Sequence, residues 1–144
     1  MKNLAIKNIV EYNNEIAYIL IIGIDGLVLK FGNHVVRVSK DEIDNVKDID
    51  LSDYLLRKLF DVHQLDKNNN PAVWSIKESP NYWIVKTEVS NGKVYAFCKY
   101  GNKRIYINSV RELQNLYNTF KEHEEGEMLN EDIDEKILKL YKLI

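Results

Sequence analysis

A chain of 144 residues, 45% hydrophobic and 29% charged, can bury a core without crosslinks and is too apolar for disorder. Its one cysteine, Cys98, excludes an internal disulfide and a CxxC zinc site and favours a reducing compartment. Net charge is −2, yet eight carboxylates and no Lys or Arg fall between residues 122 and 135, leaving +6 on the other 130 residues.

Residues 1–10 lack the basic start, apolar run and small-residue site of a secretory leader. The longest apolar stretch, 16–24, is far short of the roughly 20 residues that span a membrane. A cytoplasmic protein with no membrane segment is expected. Frequent Lys, Asn and Ile, all with AT-rich codons, suggest a bacterial or phage source.

The first elements read as sheet. Residues 16–24 alternate with apolar side chains on both faces, as in a central strand covered on both sides. Asp25-Gly26 and Gly32-Asn33 are turn pairs that separate strands at 27–31 and 35–38. Ser39-Lys40-Asp41-Glu42 has the spacing of a capping box and opens a short polar helix. A longer helix is predicted over 51–65, with Leu51, Tyr54, Leu55, Leu59 and Val62 at helical spacing.

Sheet resumes with strands at 73–77, 82–89, 93–100 and 104–108, divided by turn sequences. Ser109-x-x-Glu112 is a second capping box, opening a helix over 109–122. A last helix over 130–143 has an acidic start and a basic end, both matched to the helix dipole. The expected fold is therefore a single α+β domain over 1–144, with antiparallel β-meanders packed on three to four helices. Segments 16–65 and 73–122 share a turn, strand and Ser-x-x-Glu order. Duplication and independent use of common turns both explain that likeness.

No catalytic set stands out. His34, His63 and His123 have no second His or Cys at ligand spacing, and there is no phosphate loop or nucleophile motif. No catalytic residue, metal or cofactor is assigned. The leading expectation is a non-enzymatic module that binds another protein, of the inhibitor or immunity type, in an oligomeric state the residues leave open. Two partner surfaces suit it. The acidic side chains Glu122, Glu124, Glu125, Glu127, Glu131 and Asp132 would meet a basic surface. Trp74, Tyr82 and Trp83, around Ser79-Pro80-Asn81, are of the types that dominate binding hot spots.

One stretch resembles a known family. Residues 93–100, Lys-Val-Tyr-Ala-Phe-Cys-Lys-Tyr, resemble the RNP1 strand of the RRM family, with Val94 and Cys98 departing from its pattern. The resemblance implies RNA or single-stranded nucleic-acid binding, with Lys93, Tyr95, Phe97 and Lys99 on one face and Arg104 and Tyr106 extending it. A turn and a strand follow here, where the family has a helix. A small-molecule-binding domain is the remaining alternative.

Overall fold

The computed structural model describes residues 4–59, 61–64, 72–75, 82–90, 93–99, 103–123 and 133–143. The chain is α+β, with two five-stranded antiparallel sheets and three α-helices among the described residues.

The first sheet starts earlier than the sequence suggests. β1 (Ile9–Tyr12) and β2 (Glu15–Gly23) form a hairpin through Asn13 and Asn14, whose φ angles are 51° and 63°. Two consecutive left-handed residues match the twist of a two-residue hairpin, and Asn tolerates them because its side chain is short and polar. β3 (Gly26–Lys30) follows with its register one residue off expectation. Gly23 pairs with Gly26, so the loop is Ile24-Asp25 rather than Asp25-Gly26. Gly26 answers a different need. A Cβ there would overlap the Val38 carbonyl oxygen of β4 (Val35–Ser39).

Ser39 leads into a 3-10 helix, Lys40–Asn45, but its side chain makes no capping bond, so the expected capping box does not form. β5 (Lys47–Asp48) then returns to β1, giving the order β4-β3-β2-β1-β5. α1 (Asp53–Leu59) buries Leu55, Leu56 and Leu59 and leaves Tyr54 exposed. It stops well short of residue 65. Val62, expected on the helical stripe, instead falls in β6 (Asp61–Gln64), which pairs with β7 (Ala72–Ser75).

β8 (Tyr82–Ser90), β9 (Lys93–Lys99) and β10 (Lys103–Ile107) complete the second sheet, a simple meander ordered β10-β9-β8-β7-β6. α2 (Val110–His123) and α3 (Ile133–Leu140) follow. Ser109 caps α2 as expected: its Oγ accepts the Glu112 amide at 3.2 Å and donates to the Glu112 carboxylate. The structural counterpart of Ser109 is Ser52, which caps α1 through the Leu55 amide at 3.1 Å.

These two helix starts lie side by side. Leu51 N donates to Asn108 O at 2.9 Å and Val110 N to Ile49 O at 2.8 Å, an antiparallel seam between the two halves. Arg111 locks it with two bonds to the Asp48 carboxylate, at 2.8 and 3.0 Å. One hydrophobic core unites Ile9 and Tyr18 of the first sheet, all three helices, and Ile84, Tyr95, Phe97 and Ile107 of the second sheet. A smaller core lies on the other face of the first sheet, around Val10, Ala17, Ile19, Leu29 and Val38. β2 is thus the covered central strand that the sequence predicts, but only from Ala17 to Ile19.

Candidate functional site

Beyond Leu20, β2 loses its cover. α3 packs Leu138 with Tyr18 and Leu20, and the Lys142 carbonyl just beyond it lies beside the Gly32 turn between β3 and β4. A register shift between Ile19 and Ile21 reassigns the faces of the last strand residues. Ile21, Val28 and Arg37 are then directly opposite one another, as are Lys30 and Val35, so these five side chains share one face. Ile21 is 53% exposed, Val35 56% and Ile24, at the hairpin tip, 95%. A cleft of about 410 Å³ runs beside the tip between Ile21, Ile24, Val28 and Arg37. Exposed apolar side chains are ordinary singly, but a cluster bordered by charge marks an interaction surface.

The strip ends at an open edge. β4 has β3 on one side and, among the described residues, no strand on the other. Phe31 N bonds His34 O, and Lys40 N bonds Asp25 O, which fixes the alternation along the pair. His34, Val36, Val38 and Lys40 point their backbone groups at β3. Val35 and Arg37 therefore aim theirs off the edge, as Ser39 does its N–H, while the Ser39 carbonyl turns into the 3-10 helix. Neither Lys30 nor Arg37 has a carboxylate partner among the described residues. Phe31 and His34 stack at the β3–β4 turn with ring centroids 5.0 Å apart, Phe31 packing against the smaller core on the opposite face.

A second polar constellation sits where α1 meets the second sheet. Asp53 Oδ1 accepts the Tyr95 hydroxyl at 2.5 Å and Asp53 Oδ2 accepts Lys86 Nζ at 2.9 Å. Partial burial pushes the Asp53 carboxyl up, but the two hydrogen bonds and the charges of Lys86 and Arg57 outweigh it and hold the group below its ordinary value. Burial, with the Asp53 charge, raises the Tyr95 phenol well above its own. A phenol so raised keeps its proton, so the trio works as a hydrogen-bonded clamp between α1 and the second sheet.

The residues expected to bind nucleic acid are divided by the fold. Tyr95 is 6% exposed and Phe97 1%, both in the main core, so the stacking face expected of them is not formed. Helices α1, α2 and α3 supply the apolar cover that makes this the inner face. Arg104 and Tyr106 are opposite Cys98 and Ala96 and point to the other face, where both are exposed. Lys93 and Lys99 sit at the two ends of β9. Of the aromatic turn, Trp74 pairs with Ile84, Trp83 with Ser75 and Cys98, and Tyr82 with Lys99, which places all three on adjacent strands; the turn at 79–81 lies outside the described residues.

Of the acidic series, Glu122 is in the last turn of α2, while Glu124, Glu125, Glu127, Glu131 and Asp132 lie outside the described residues. Asp134, from the same run, is buried rather than presented. It accepts Gln114 Nε2 at 2.9 Å and Asn118 Nδ2 at 3.0 Å. Comparison with protein-family models, curated proteins and solved structures finds no match to this chain.

The strip on β2, β3 and β4 escaped sequence reading for one reason. Period-two alternation assigned Ile21 and Ile22 to buried faces, and no pattern in sequence reports how far a distant helix extends. Ile24 alone carried a signal, since an isoleucine at a two-residue hairpin tip has little of its own hairpin to bury against.

Proposed function

We propose that this chain is a non-enzymatic protein-binding module. It covers a surface of its partner in the manner of an inhibitor or immunity-type protein, in the cytoplasm of a bacterium or of a phage-infected cell. The observation that carries this reading is the strip of exposed Ile21, Ile24 and Val35, with half-buried Val28 between them, beside the open edge of β4. Burying such a strip against another protein removes apolar area from water, and an edge strand adds backbone hydrogen bonds to that gain. The module's own core does not need these side chains. No helix among the described residues is long and apolar enough to cross a membrane.

Site-specific photo-crosslinking tests the reading. A photoreactive residue at Ile24, introduced in the producing cells, should give a discrete protein adduct, and the same residue at exposed Glu15 should not. Adducts of equal yield at both positions, or none at either, refute it.

A further inference from the structure

We infer that the partner is recognised as an added β-strand: an extended, carboxylate-bearing segment that pairs with the outer edge of β4. The inference rests on the protein-binding reading and specifies its chemistry.

Three features of the edge converge on this occupant. The outward N–H and C=O groups of Val35 and Arg37, with the Ser39 N–H, form a spaced row that another extended backbone can satisfy together. Side chains of an added strand alternate, so every second one lies over the face that carries Val35 and Arg37. On that face the apolar contacts are Ile21, Val28 and Val35, and the charges are Lys30 and Arg37, both cations without a carboxylate partner among the described residues. A carboxylate placed across from Arg37 completes the pair, and an apolar neighbour two residues along meets Val35.

The edge also has a polarity. Lys30 and Val35 stand at its start, whereas Ser39 stands beside Gly26 and the Asp25 turn. The acidic position of the incoming segment therefore belongs near Arg37 and Lys30, not at the end beside Asp25. A second copy of this chain fits poorly. Antiparallel pairing of β4 with itself over its full length sets Arg37 directly against Arg37, and like charges opposite each other repel. Arg37 thus discourages self-association while selecting an acidic partner, a double use common at sheet edges.

Selection from a displayed library of random short peptides, on the full chain, tests the inference. The expected winners alternate apolar residues and carry a carboxylate. Their binding should weaken about tenfold or more with Arg37→Glu, which reverses the charge at an exposed position. It should weaken similarly with Val35→Pro, which removes an outward N–H without touching the ladder to β3. Thermal unfolding of each variant, compared with the parent, separates lost binding from lost fold, and Arg37→Glu stands as the test should Val35→Pro not fold. Winners that are basic, that ignore both substitutions, or that do not appear overturn the inference, as does a concentration-dependent dimer abolished by Val35→Pro. If crosslinking at Ile24 still yields a protein adduct in those cases, the partner sits on the apolar tip without adding a strand. If it yields none, the protein-binding reading falls as well.

Discussion

The Tyr95 hydroxyl donates to Asp53 Oδ1 at 2.5 Å, joining the middle of β9 to the first turn of α1. Tyr95 is therefore committed to the inside of the molecule, its ring in the core and its oxygen on a carboxylate. Tyr95→Phe keeps the ring and removes the bond. It should lower stability by about 1–2 kcal/mol, at the modest end for a bond to a charged group because Asp53 is partly exposed. The shift of the urea midpoint, at unchanged slope, measures it.

The same pair predicts two limbs in the pH dependence of stability. Asp53 has its carboxyl held below the unfolded value, so its contribution is complete above the unfolded pKa and is lost as pH falls through the folded one. Tyr95 has its phenol raised by burial and by Asp53, so the unfolded chain releases that proton first and stability declines as pH rises above about 10. Denaturant midpoints from pH 2 to 11 read both limbs. Asp53→Asn should flatten the acid limb. Tyr95→Phe should reduce the alkaline limb without abolishing it, since burial also raises Tyr12 and Tyr141.

Gln114 is the hub of a buried polar network and is 0% exposed. Its Oε1 accepts the Ile9 amide at 2.9 Å, while Nε2 donates to Lys7 O and to Asp134 Oδ1, both at 2.9 Å. One side chain thus ties β1 to both C-terminal helices. Gln114→Leu has similar volume but leaves the buried Ile9 amide without its acceptor and takes one of its donors from the buried Asp134 carboxylate, while freeing the part-buried Lys7 carbonyl. A loss of about 3 kcal/mol or more is expected, larger than for a typical core substitution of equal size. Thermal unfolding checks the magnitude.

Gly26→Ala probes the edge from behind. The added Cβ would overlap the Val38 carbonyl, and φ at this position is 145°, a region that L side chains rarely adopt. β3 and β4 must part to accept it. The cost should exceed about 1 kcal/mol, with loss of hydrogen-exchange protection concentrated in β3 and β4. An unchanged exchange pattern would show that the two strands do not need this close approach.

Sequence by itself determined the local elements. Strong alternation at 16–23, turn residues between the strands, and the Ser109-x-x-Glu112 cap are short-range features, and short-range sterics and hydrogen bonds are enough to read them. They were enough to establish α+β with antiparallel meanders, and to place α2 within a residue of its start. Tertiary structure alone decided which faces are covered. Tyr95, Phe97 and Ile21 have equivalent alternating patterns. The first two are buried because side chains of three helices share a core with them; the third is exposed because it lies outside both cores. Ending α1 at Leu59 also took a distant partner, since β6 exists only through its pairing with β7. Burial depends on contacts between residues far apart in the chain, and alternation records only which side chains share a face, not what lies over it.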